Sequence, residues 1–176
     1  MNHDQYSDAY IKGILDEVKT VAMVGASANN VRPSYFVLKY LLSKGYDVWP
    51  INPGLAGKEI LGQTAHASLA DLPETPDMVD IFRNSAAAGL IVDDILASGR
   101  LPKVIWMQLT VRNDEAARKA EAAGIKVVMD RCPKIEYGRL SGEIGWAGVN
   151  SRTLSAKRPT LKSGFQHRGL KPSGSE

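Results

Sequence analysis

The stretch "TVAMVGASANNVRPSYFVLKYLLSKG", residues 20–45, decides the fold. Its first six residues, 20–25, are almost wholly apolar and end on a glycine, as a strand buried on both faces would. Helical spacing takes over at Pro33 and stops at Gly45, with Val37, Leu38, Leu41 and Leu42 on one stripe. Proline suits the first helical position, because the N–H it lacks has no partner there. The stretch is therefore a strand, a turn and a helix: one β-α unit.

Working outward, the unit repeats. "YDVWPI" (46–51), "MVDIF" (78–82), "VIWMQL" (104–109) and "IKVVMD" (125–130) predict four more short strands. Helical patterns lie between them at 85–98, with Asn84 or Ser85 as cap and a stop at Gly99, and at 114–123, with Asn113 as cap. A leading helix is expected near 8–18. The segment 52–77 is rich in proline and glycine; it carries "KEILG" and a short "SLADL" turn but no full helix. Such alternation predicts an α/β fold: a doubly wound parallel sheet of about five strands between two helical layers.

Composition agrees with one domain. The chain has 176 residues, 44% hydrophobic and 23% charged, which is enough to build a core. No apolar run reaches the roughly 18 residues of a membrane span. The opening "MNHDQYSDAY" has neither the basic nor the apolar region of a secretion signal. The single cysteine, Cys132, excludes an internal disulfide and suits a reducing cytoplasm.

The formal charge of +3 belongs to the tail. Residues 151–176 hold six Lys/Arg and one acid, whereas the remainder holds 16 basic and 18 acidic residues. We therefore expect a domain over 1–150 and a basic flexible tail over 151–176. A nucleic acid is not the partner this core favours. The tail alone would be the polyanion binder, if any part is.

In an open α/β sheet, ligands bind beyond the carboxyl ends of the strands. After the first strand, Gly25 permits a tight turn, Ser27 offers a hydroxyl, and the helix starting at Pro33 points unpaired N–H groups at the same space. Arg32 adds a fixed cation, so this loop is the expected phosphate site. After the second strand stand Asn52 and Pro53, where a dinucleotide fold carries an acid for the ribose. The first turn also lacks G-x-G-x-x-G, and the two departures argue against NAD. Lys58 reads equally as a phosphate ligand or a solvated lysine. Phe82 and Arg83 sit at the third strand's end, before a helix that opens with small residues. Gln108 is a neutral group able to bond an amide, while Trp106 reads as core. Cys132 reads as a small buried residue, a nucleophile or a redox thiol. The only histidines are His3, His66 and His167, so neither a catalytic constellation nor a metal cluster is visible.

Taken together, "VGAS…RPS", "PINP", "DIFR", "WMQL" and "AGIKVVMDRCPKIE" resemble the CoA-binding domain family. Its members are small single-domain relatives of the N-terminal domain of the succinyl-CoA synthetase alpha subunit. The likeness runs from Val21 to Glu136 and extends toward residues 142–151. It implies a Rossmann-like fold with coenzyme A at the strand carboxyl ends. On that likeness, Gly25, Ala26, Ser27 and Arg32, with Pro33 opening the helix, meet the nucleotide phosphates. Asn52, Pro53 and Lys58 border adenine and ribose, and Phe82 and Arg83 line the pantetheine arm. Cys132 and Pro133 match the synthetase's cysteine–proline turn, near the CoA thiol. The synthetase also needs a phosphohistidine from a second domain and a partner subunit; this chain has neither that domain nor a histidine in a comparable segment, so ligase activity is not implied.

The expectation is a non-catalytic module that binds coenzyme A or an acyl-CoA. Two enzymatic alternatives stand beside it: thiol-redox chemistry between Cys132 and the CoA thiol, and an NAD(P)-linked oxidoreductase. A homo-oligomer is left open.

Overall fold

The computed structural model describes residues 1–142. The expected tail and the segment 143–151 lie outside the described residues. The elements follow in order: α1 (Asp8–Glu17), β1 (Thr20–Val24), α2 (Pro33–Ser43), β2 (Asp47–Ile51), β3 (Glu59–Ile60), β4 (Gln63–Thr64), β5 (Met78–Ile81), α3 (Ser85–Ser98), β6 (Val104–Met107), α4 (Asp114–Ala122), β7 (Lys126–Val128) and α5 (Pro133–Ser141).

Five strands form one parallel sheet in the order β2-β1-β5-β6-β7. The chain steps outward from β1 to β2, then returns past β1 to build the other half. The order thus reverses between β1 and β5, and the connections on either side of that point leave a crevice. The Rossmann-like α/β fold expected from the sequence is the one observed.

Alternation within the strands makes the two faces. Val21, Met23, Val48, Val104 and Trp106 pack against Ile14 of α1 and Leu38 of α2, with α5 closing that layer. Ala22, Val79, Ile81, Ile105 and Met107 pack against α3 and α4, which offer small residues such as Ala88, Ala117 and Ala120. Trp106 is fully buried, as expected, and its indole N–H donates to the Arg131 carbonyl at 2.8 Å.

Most expected elements appear within two residues of their sequence limits; one helix was not expected, one of the two expected caps is selected, and one motif forms a hairpin. The cysteine–proline turn opens a helix, α5, that the sequence reading left out. Gly138 interrupts its pattern, and buried Glu136 takes a position an apolar residue would signal. Glu136 is satisfied by Arg139 at 2.7 Å, and Arg139 reaches Asp8 at 2.8 Å, tying α5 to α1. The cap of α3 is Asn84, whose side chain accepts from Ala87 N–H; the Ser85 hydroxyl instead accepts from Arg112 N–H. "KEILG" forms a hairpin, β3–β4, turning through Leu61 and Gly62, both at positive φ (52° and 77°).

The outer edge of β7 is held by the N-terminal segment. The Tyr6 hydroxyl accepts from Met129 N–H at 2.8 Å, and Tyr10 donates to the Val127 carbonyl at 3.4 Å. The two tyrosine rings are stacked, with centroids 5.9 Å apart. No described helix is long and apolar enough to cross a membrane.

Candidate functional site

The β1 turn is shaped by one close approach. Gly25 has φ +88°, and a Cβ built there would stand 2.7 Å from the Phe82 carbonyl oxygen. Gly25 N–H and Ala26 N–H both donate to the Ile51 carbonyl, which locks the turn onto β2. Beyond it, Ser27 Oγ accepts from Asn29 N–H, and Asn29 Oδ1 accepts from Val31 N–H. These bonds carry the chain to Arg32, the residue before α2, whose first turn no side chain caps. Uncapped N–H groups and the helix dipole favour an anion there.

Two cavities flank this turn. The first, about 730 Å³, is mostly apolar and lies between α3 and the 67–70 segment, with Pro53, Leu90 and Ile91 on its walls. The second, about 1090 Å³, opens between the starts of α2, α3 and α5. Gly25, Asn52 and Arg83 line both, so the cavities meet at the crevice where strand order reverses.

Most of the expected site residues converge here. Gly25, Ala26, Ser27, Arg32, Pro33, Phe82, Arg83, Gln108 and Cys132 line the second cavity. Asn52 lines both, and Pro53 the first. Lys58 lines neither: it is exposed on the loop before the hairpin. Pro133 is buried as the first residue of α5, and its neighbours Cys132 and Lys134 do the lining. Asn52 is also structural: its Nδ2 donates to the Ala26 carbonyl at 2.7 Å, and its Oδ1 accepts from Gly54 N–H at 2.9 Å. Both amide atoms are thus engaged where a dinucleotide fold would free a carboxylate.

Cys132 immediately precedes α5 and is buried. Burial pushes its thiol up to about 11, and nearby Asp80 adds to the rise, against the opposing N–H groups of Ile135 and Lys134. The group is a neutral thiol near pH 7, and a neutral thiol is a poor nucleophile.

The sequence reading missed two features. Asp80, inside β5, is fully buried, and its carboxylate oxygens accept from Gln108 Nε2 at 2.9 and 3.1 Å. Burial raises its pKa from 3.8 to about 7, with the Gln108 bond opposing. An acid in the middle of the apolar run "MVDIF" was the available signal. Thr110, on the rim of the second cavity, sits at φ +70°, a strained conformation for a β-branched residue. It is held there by a 2.7 Å bond from its N–H to Asp130 Oδ1.

Residues 19–138 match the CoA binding domain family, about two thirds of the chain. The uncharacterized protein YneT of Bacillus subtilis is 34% identical over 131 residues, covering 74% of this chain and 94% of that protein. A solved Thermus thermophilus protein is 38% identical at a TM-score of 0.72, covering 77% of this chain and 99% of that one. A hypothetical protein from Pyrococcus horikoshii is 37% identical at the same TM-score of 0.72, covering 80% and 96%. An acetyl-coenzyme A synthetase of Ca. Korarchaeum cryptofilum is 25% identical at a TM-score of 0.51, over 62% of this chain and 25% of that longer one.

Proposed function

From the premise that this chain belongs to the CoA-binding domain family, we propose that it binds coenzyme A or an acyl-coenzyme A without transforming it. The observation that carries this reading is the meeting of the two cavities at Gly25, Asn52 and Arg83. One ligand can bend past the end of β1, with a flat apolar end in the first cavity and a long arm in the second. Coenzyme A has that shape. Its adenosine suits the apolar walls near Pro53 and Leu90. Its phosphates suit the β1 turn, Arg32, Arg83 and the uncapped start of α2. Its arm carries amides and needs a mostly apolar groove, to which Phe82 contributes, with a few neutral polar groups such as Gln108. The thiol end then lies toward Cys132 and the start of α5.

A binding role fits the chemistry of Cys132 better than a redox role, since its buried thiol stays protonated. That single thiol also suits a reducing compartment such as the cytoplasm. The engaged amide of Asn52 fits coenzyme A better than NAD, which needs an acid at that place.

Calorimetric titration of the reduced protein tests the reading, with dephospho-CoA and NAD as controls and Arg32→Ala as variant. The expected result is saturable binding of coenzyme A, weaker by about tenfold in the variant, and none for NAD. Absence of coenzyme A binding, or equal binding of NAD, overturns it.

A further inference from the structure

Asp80 is an anomaly in the sheet. Its register neighbours are Met23 on β1 and Trp106 on β6, both fully buried. A carboxyl there loses its water, and among the described residues only Gln108 bonds to it. An aliphatic residue would pack at this point without that cost. What the carboxyl accomplishes is visible in Gln108. Both of its oxygens face Nε2, so while the acid is ionised the carboxamide cannot turn over without setting carbonyl against carboxylate. Oε1 makes no hydrogen bond among the described residues. Nor is it one of the buried side-chain atoms without a hydrogen bond among the described residues, so it is open to the second cavity. A free glutamine offers a ligand either a donor or an acceptor. This one offers an acceptor.

We propose that Asp80 is a positioning residue: it holds Gln108 so that only the carbonyl oxygen meets the second cavity, which makes that point selective for a hydrogen-bond donor on the ligand's arm. This rests on the coenzyme A reading above. The donor is then one of the two amide N–H groups of the pantetheine arm. Specificity follows, because a ligand with an oxygen in place of that N–H sets two acceptors face to face.

The experiment compares coenzyme A with two analogues, each having one arm amide replaced by an ester, and with 3′-phosphoadenosine diphosphate, which has no arm. Titrations at about pH 8.5, where Asp80 is ionised, use the wild-type protein and Asp80→Asn, a substitution of equal shape whose fold is checked by its thermal transition. Wild type is expected to prefer coenzyme A over one ester by about three- to tenfold. In Asp80→Asn the preference is expected to fall within about twofold, with binding of the armless nucleotide unchanged. A purely structural role would weaken all ligands together. A preference that persists in the variant, or is absent from wild type, overturns the proposal. A wild-type protein that binds no coenzyme A refutes the functional reading, and the role of Asp80 is then read from the ligand-free protein by nitrogen-15 NMR. Slow exchange of the Gln108 amide protons, at least about tenfold faster in Asp80→Asn, supports the hold; equal exchange in the two proteins overturns it.

Discussion

Gly25 and Phe82 come so close that the third strand's exit leaves no room for a side chain on the first turn: a Cβ at position 25 would meet the Phe82 carbonyl oxygen at 2.7 Å. The obstacle is backbone, which does not rotate away. The positive φ of Gly25 adds a second penalty for any other residue. Gly25→Ala is expected to lower stability by about 2–4 kcal/mol and to abolish ligand binding. Urea denaturation and titration of the variant measure the two effects. A variant as stable as wild type would mean the turn can open.

Arg83 lines both cavities, whereas Lys58 lines neither. Arg83→Ala is therefore expected to weaken coenzyme A binding by about tenfold. Lys58→Ala is expected to change it by less than about twofold. Calorimetry on the two variants, side by side, decides whether the sequence expectation for Lys58 holds. A large loss in Lys58→Ala would bring that loop back into the site.

The buried carboxyl of Asp80 makes stability depend on pH. Its pKa in the folded chain, about 7, lies above the ordinary 3.8, so the folded state holds this proton more tightly than the unfolded state does. Stability therefore falls as pH rises from about 4 to about 7, and no further loss from this group follows above that. The penalty at pH 8 is on the order of a few kcal/mol. The other ionisable group beside it, Cys132, remains a thiol across this window. Thermal unfolding of wild type and Asp80→Asn from pH 5 to pH 8 is expected to show a smaller downward slope in the variant. Parallel slopes would mean that Asp80 titrates alike in both states.

Cys132 is expected to label slowly. Its pKa of about 11 against an ordinary 9.0 leaves roughly a hundredth of the usual thiolate at a given pH. A chromogenic disulfide reagent at pH 8 should modify the folded protein at least about a hundredfold more slowly than the protein unfolded in urea. Rapid labelling of the folded chain would revive the thiol-redox alternative.

Much of this was legible in the chain, and the reasons are local. Residues 20–45 announce their unit because a β-branched apolar run, a glycine and a proline-led amphipathic stripe each mark one state. The loop residues Gly25, Ser27 and Arg32 converge because topology carries every strand end to the same side. What stayed hidden depends on partners far away in sequence. Asn52 reads as a missing acid; only the fold shows its amide bridging Ala26 and Gly54. Gln108 reads as a free amide until Asp80, 28 residues earlier, is placed beside it. The helix after Cys132 escaped because its buried face includes an acid, Glu136, matched by Arg139.

The two stacked tyrosines near the start of the chain have a consequence beyond packing. A parallel sheet ends in strands whose outward N–H and C=O groups invite another chain to pair with them, the route to edge-to-edge aggregation. Tyr10 occupies such a group at Val127 of β7, and Tyr6 the one at Met129 just after it. On the opposite side, Ala65 and His66 cover β2, with His66 N–H donating to the Pro50 carbonyl at 2.9 Å. Side-chain hydroxyls at one margin and a returning loop at the other thus cover part of each rim. Removing residues 1–10 would strip one of these guards and open the outward groups of β7 to pairing with another chain.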